Sequence, residues 1–263
     1  MSDVDDLRLS ASDLSALGKF RSTHVAGSFM HKVNIAIASS FTVLLLLAVV
    51  LALKFWLENP GKGLWPIPLI FGGLALLPAV GLIFLVRKLR WRLFLFDNGF
   101  VFSRGRGWVV LWDKTEGLYL QQDVITGMSA DLWLTVVLCD GHRIALDSTF
   151  KEFSVFAEAV RAGITRSVLR RAETSLPKGE EIPFGDVKLS RQGLEKTGTR
   201  LLWSEVASIT LEKGDIAHIV RVYRKGTESG FQQTEWYTEL VPKFQSIDAF
   251  LELAGQFSTV RVK

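Results

Sequence analysis

One cysteine, Cys139, excludes an intrachain disulfide and any metal cage built from thiolates. The four histidines, His24, His31, His142 and His218, share no metal-ligand spacing, so no metal site is expected. Neither a GxGxxG nor a Walker-type phosphate loop occurs, and HExxH and GxSxG are missing too. No cofactor and no catalytic residue is therefore assigned, and the chain is not expected to be an enzyme. Charge of one sign is also scarce. Against 27 acidic residues stand 31 basic ones, and a net charge of +4 is too mild to imply nucleic acid. The most informative absence is local: from Val33 to Leu53, and again from Leu64 to Val86, no charged residue occurs.

Those two stretches hold nearly all of the chain's apolar excess. At about 1.5 Å of rise per residue, each reaches across a hydrocarbon core of about 30 Å as a helix. In lipid a backbone must satisfy its own hydrogen bonds, which a helix does. Trp56, Trp65 and Trp91 fall where interfacial aromatic belts form. The link between the runs contains Asn59-Pro60-Gly61, a turn signal, and its shortness implies an antiparallel hairpin. Arg8, Lys19, Arg21 and Lys32 precede the hairpin, and Arg87, Lys88, Arg90 and Arg92 follow it; the link holds Lys54 and Lys62. This bias puts both termini on the cytoplasmic side of a two-pass protein of the cell membrane. A cleaved signal peptide is not expected: the core is long, and a second apolar run follows almost at once. Asn34, Ser39, Ser40 and Thr42 are candidates for hydrogen bonds between the helices, and Gly72, Gly73 and Gly81 for close backbone approach. No intramembrane acid or base marks an ion path.

Beyond Trp91 the pattern is of short strands. Leu93–Phe96, Phe100–Ser103, Trp108–Trp112, Leu118–Gln121, Leu132–Leu138 and Arg143–Leu146 are separated by turn signals, among them Asp97-Asn98-Gly99 and Asp140-Gly141. Helical spacing of Phe153, Phe156, Val160 and Ile164 then predicts an amphipathic helix capped by Ser148 or Thr149. The second half echoes the first. Val187–Ser190, a turn at Arg191-Gln192-Gly193, and Leu194–Lys196 are followed by Arg200–Val206, in which Trp203 matches Trp112. Strands over Ala207–Glu212, Ile216–Arg224 and Trp236–Val241 lead to a helix capped by Ser246. Two copies of about 75 residues are the economical reading. Arg170–Pro183 reads as a linker.

The expected fold is a membrane α-helical hairpin plus α+β modules, each a curled antiparallel sheet closed by a C-terminal helix. Its parts are an N-terminal segment over 1–32, the hairpin over 33–86, a first module over 91–172, a linker over 173–183 and a second module over 184–263. The chain resembles bacterial membrane-anchored pleckstrin-homology-like (PH-like) proteins, and within them an uncharacterised family. Leu17-Gly18, Leu95–Phe100 (LFDNGF), Val110–Trp112, Pro183–Gly185 and Leu201–Val206 (LLWSEV) carry the resemblance. It implies tandem PH-like modules and supplies no catalytic or binding residue.

Two basic groups are candidate sites. Arg87, Lys88, Arg90 and Arg92 suit anionic lipid head groups, at about 1 kcal/mol each near a membrane surface, and equally serve to fix topology. Arg161, Arg166, Arg170 and Arg171 form a second basic face, toward a partner or simply toward water. Trp112 and Trp203 read as core, Cys139 as an inert buried thiol, and Asp97 and Asp113 as turn residues. The expected partners are the lipid bilayer and an unknown protein or anionic lipid. The functional expectation is a membrane-anchored scaffold or binding platform; the alternatives are a subunit assembled through the hairpin and an enzyme of unrecognised site.

Overall fold

The computed structural model describes residues 9–27, 29–58, 66–104, 106–123, 131–213, 218–226 and 233–262. The described chain is α+β, with antiparallel sheets and five α-helices. Helix α1 (Ala11–Leu17) is capped by Ser10, whose hydroxyl accepts the Asp13 N–H at 3.1 Å. Strand β1 (Phe20–Val25) follows, then helix α2 (Phe29–Glu58) and helix α3 (Pro66–Lys88). Over Lys32–Glu58, α2 is long and apolar enough to cross a membrane. Its apolar side chains are exposed at close intervals, Val43, Leu44, Leu46 and Leu47 among them, so it has no polar face to turn to water. Helix α3 packs along α2 and is apolar until Arg87.

The hydroxyls of Ser39 and Thr42 donate to Ile35 O and Ala38 O within α2, each at 2.7 Å, so they do not bridge the two helices. A Cβ placed on Gly73 or Gly81 would meet nothing within 4 Å, so neither glycine marks a close approach. The Asn59-Pro60-Gly61 turn lies outside the described residues.

Strand β2 (Arg92–Phe96) pairs antiparallel with β1, Thr23 opposite Phe94 and Val25 opposite Arg92. The expected separate segment over 1–32 and the expected start of the first module at residue 91 are both corrected, because β1 forms the edge of the first sheet. Its residues, Phe-Arg-Ser-Thr-His-Val, are too polar to read as a strand alone. Pairing and the burial of His24 hold it in place. Strands β3 (Gly99–Arg104) and β4 (Arg106–Leu111) complete a four-stranded sheet in the order β1-β2-β3-β4. A 3-10 turn at Trp112–Lys114 leads to β5 (Thr115–Asp123), β6 (Asp131–Leu138) and β7 (Arg143–Asp147), a second antiparallel sheet.

Helix α4 (Phe153–Ser175) covers this core with Phe156, Val160 and Ile164. It begins later than expected. Neither Ser148 nor Thr149 caps it, and Glu152 enters it with φ 53°. Phe156 meets Phe100 edge-on at 5.5 Å, a favoured aromatic geometry.

No free linker separates the halves. Helix α4 runs on to Ser175, a 3-10 turn covers Leu176–Lys178, and β8 (Ile182–Phe184) starts the next sheet. Ala172, Leu176 and Ile182 are buried, because their apolar side chains join one core cluster extending through both halves. Strands β8, β9 (Val187–Leu189), β10 (Gly193–Lys196) and β11 (Thr199–Leu202) form a four-stranded sheet. Strands β12 (Val206–Lys213), β13 (His218–Arg224) and β14 (Thr234–Leu240) form an antiparallel set, and helix α5 (Ile247–Gly255) closes the half. Ser246 precedes α5 with φ 49° and makes no side-chain cap. A last strand, β15 (Val260–Val262), adds to β12 in parallel.

Candidate functional site

Three features of the surface can carry function: the foot of α2 and α3, a groove between the halves, and a cleft at the far end of the first half. The foot is built by backbone. The Ala26 N–H donates to Trp91 O at 3.0 Å, Gly27 N–H to Thr149 O at 2.9 Å, and Lys151 N–H to Val25 O at 3.0 Å. Buried His24 joins the same knot, with Nε2 2.9 Å from Ser22 Oγ and Nδ1 3.2 Å from Lys151 O. The chain therefore leaves for α2 and returns from α3 through adjacent, hydrogen-bonded positions.

The four cations expected at this foot are brought together. Arg87 and Arg90 are exposed, and half-buried Arg92 opens β2. The Lys88 ammonium lies 3.6 Å from the Asp147 carboxylate at the end of β7 and 5.4 Å from the centre of the Trp91 ring. This ion pair ties the end of α3 to the second sheet.

The other expected cluster is split. Arg161 pairs with Asp248 of α5, across the boundary between the halves. That hydrogen bond holds its guanidinium above the ordinary arginine value. The Arg171 guanidinium donates to Thr115 O at 2.8 Å and Glu116 O at 3.4 Å, fastening α4 to the start of β5. Arg166 and Arg170 remain exposed and line the far cleft, of about 360 Å³. Helical geometry separates the four, since one face of α4 cannot present all of these positions to solvent.

That cleft also holds Asn98, Asp97, Asp113 and Ser167. Charges of both signs line it. Arg21 Nε lies 2.5 Å from Asp97, and this hydrogen bond holds the carboxyl below its ordinary value, unsuited to acid catalysis.

Trp112 and Trp203 serve as structure. The Trp112 indole donates to Asp97 O at 3.0 Å and its backbone N–H to Asn98 O at 2.9 Å. Trp203 does the same with Ser190 O at 2.9 Å and Gln192 O at 3.1 Å. Each indole thus latches the turn between the second and third strands of its half. Cys139 differs from expectation. It lies just past the end of β6 and is exposed, with Arg171 Nη1 3.7 Å from its sulfur.

The groove between the halves has no counterpart in the sequence reading. Tyr119, Gln121, Trp133, Thr135 and Arg143 of β5–β7 form one side, with Pro242 and Lys243 of the second half opposite, around about 360 Å³. Beside it the halves are joined. Leu118 N–H donates to Ser246 Oγ at 3.1 Å, and Ser246 N–H to Leu118 O at 2.8 Å. The one signal in the sequence was Trp133, a large aromatic at an outward position of an alternating strand; it is 42% exposed. Among the described residues, no group of three or more His, Cys, Asp or Glu could hold a metal ion.

No curated protein matches the chain. A family model does match, over residues 10–260, reaching from α1 across both halves to β15: the chain belongs to a family of unknown function, DUF6585.

Proposed function

We propose that this protein is a non-enzymatic, two-pass membrane protein that displays two PH-like modules on the cytoplasmic face as a platform for binding or scaffolding. The observation that carries this reading is the exit of α2 and α3 between two paired strands of one sheet. Anchored in that way, the first half is held against the bilayer, and the shared core holds the second half to it. Helix α3 belongs with α2 in the membrane because its exposed residues, such as Ile83 and Phe84, are equally apolar. In each half a four-stranded sheet, a three-stranded antiparallel set and a closing helix follow in the same order. That order and the matching tryptophan latches support the PH-like reading. Fold alone warrants no specific ligand.

The native cysteine provides the test. Cys139 is exposed and single, so a membrane-impermeant maleimide reports the side of the soluble part directly. The proposal expects no labelling in intact cells and full labelling once the membrane is opened. Asn59→Cys in a Cys139→Ser background should behave in the opposite way. Labelling of Cys139 in intact cells would overturn the orientation, and failure of Asn59→Cys to label would overturn the two-pass arrangement.

A second reading, subunit of a membrane complex, draws on Gly73 and Gly81. Open space lies beside both, where a further helix could approach closely. Substituting both with Ile would then dissociate the assembly and leave the fold of the soluble part intact.

A further inference from the structure

We infer that the groove between the two halves is a binding site for the phosphate-bearing head group of an anionic phospholipid. The inference rests on the reading of α2 and α3 as membrane-embedded, and it names a ligand for the platform.

Position comes first. Trp133 is the direct cross-strand neighbour of Asp147, and Asp147 is tied to Lys88 at the foot of α3. The Trp133 end of the groove therefore stands level with the point where the chain meets the bilayer surface. From there the lining continues along the outward face of the sheet, through Thr135 opposite Tyr119, to Arg143 opposite Val137.

Chemistry comes second. Among the described lining residues the charged groups are two cations, Arg143 and Lys243, and no carboxylate accompanies them. Each half of the molecule supplies one. The Arg143 guanidinium lies 5.9 Å from the Tyr119 ring, which holds its stem against the sheet and leaves its donors to the groove. Gln121 and Thr135 add polar groups, and exposed Trp133 offers the amphipathic ring that interfaces favour. An arginine fork and a lysine point charge lining one groove with an aromatic wall match a phosphodiester next to its glycerol and upper acyl carbons. The far cleft of similar size lies past the other end of β2, beyond Phe96, and its lining carries Asp97 and Asp113 as well as arginines, so it offers no such field.

The test uses the full chain in nanodiscs. Fluorescence of the chain minus that of Trp133→Phe isolates the contribution of Trp133. Brominated phosphatidylglycerol, diluted into phosphatidylcholine, should quench this difference signal at low mole fraction, and brominated phosphatidylcholine should not. Arg143→Gln with Lys243→Gln should weaken the response to phosphatidylglycerol by roughly thirtyfold, two cations near an anionic surface contributing on that scale. Equal quenching by both lipids, or a response untouched by the double substitution, would overturn the proposal. Free glycerol phosphate that reproduces the response in pure phosphatidylcholine discs would overturn it in favour of a soluble phosphate ester. Quenching of the remaining tryptophans by brominated phosphatidylcholine separates the two levels. If it is lost, the membrane reading itself fails; if it persists while Trp133 stays silent, only the groove is wrong.

Discussion

The two halves differ most where they are otherwise most alike, at the connection between their first two strands. In the second half, β8 and β9 are joined by Gly185-Asp186, a tight turn in which Gly185 has φ 71°. In the first half, the same junction between β1 and β2 contains everything from Gly27 to Arg90, including both apolar helices. Neighbouring strands lie about 4.8 Å apart and packed helices about 8–10 Å apart, so a helical pair leaves and returns there with little distortion. On the proposed two-pass reading, an anchor at such a junction would also orient the domain, because two chain crossings with strand pairing allow far less swing than a single tether.

The largest effect is expected from exchanging the two junctions. Replacing Gly27–Arg90 with Gly-Asp should yield a soluble protein with cooperative thermal unfolding that no longer sediments with membranes. A fragment beginning at Trp91 has lost β1 and bares the β2 edge, so it should aggregate or unfold without cooperativity. Equal behaviour of the two proteins would show that β1 contributes nothing to the first sheet.

The tryptophan latches of the two halves differ in burial. Trp112 is buried beneath α4 so tightly that a Cβ on Gly163 would come within 2.6 Å of its ring. Trp203 is half-buried and stacks on Phe257 with centroids 5.0 Å apart. Trp112→Ala should cost about 3–5 kcal/mol and Trp203→Ala clearly less, as measured by denaturant unfolding. Gly163→Ala should destabilise by about 1–3 kcal/mol through overpacking.

A smaller effect tests the contact between the halves. A Cβ on Gly117 would lie 2.6 Å from Ser246 Oγ and 2.7 Å from Gln245 Cγ. Gly117→Ala should therefore loosen the boundary by about 1–2 kcal/mol, seen as faster amide exchange at Leu118 and Ser246. One broad change over both halves would instead mean that they unfold as a single unit.

The smallest effect depends on pH. The hydrogen bond from Arg224 holds Glu205 below its ordinary value of 4.5. A carboxylate depressed on folding adds stability that is present above its unfolded value and lost as pH falls through the folded one. Glu205→Gln should thus flatten the acid limb of the stability profile below about pH 4.5 and leave stability near neutrality little changed, the pair being solvent-exposed. No change in that limb would show that the pair does not form in solution.

Much of the fold was legible. Turn chemistry at Asp97-Asn98-Gly99 and Asp140-Gly141 located the hairpins, and β-branched alternation over Leu132–Leu138 matched β6. The expected helix over Phe153–Ile164 exists as α4, because its apolar spacing matches the helical period. Short or polar elements escaped. Strand β1 carries few apolar residues, β8 contains a proline, and β15 is a three-residue addition. The pairing partners of β1 and β15 are distant in sequence, and β8 is only three residues long with a proline at its centre, so no local signal marks them. The supposed linker failed for a related reason, since Ala172, Leu176 and Ile182 look scattered along the chain and meet only in the shared core.

Composition and periodicity alone determined that two apolar helices exist, that strands and a closing helix follow twice, and that cations flank the second helix. These are local properties, set by solvation and backbone geometry over a few residues. Tertiary structure decided what they amount to. It put β1 beside β2 so that the helices leave from within a sheet. It divided the arginines of α4 between the contact with α5, the edge of β5 and an exposed cleft. It also brought Arg143 and Lys243 to one groove, a meeting that depends on how two sheets pack and that no spacing along the chain encodes.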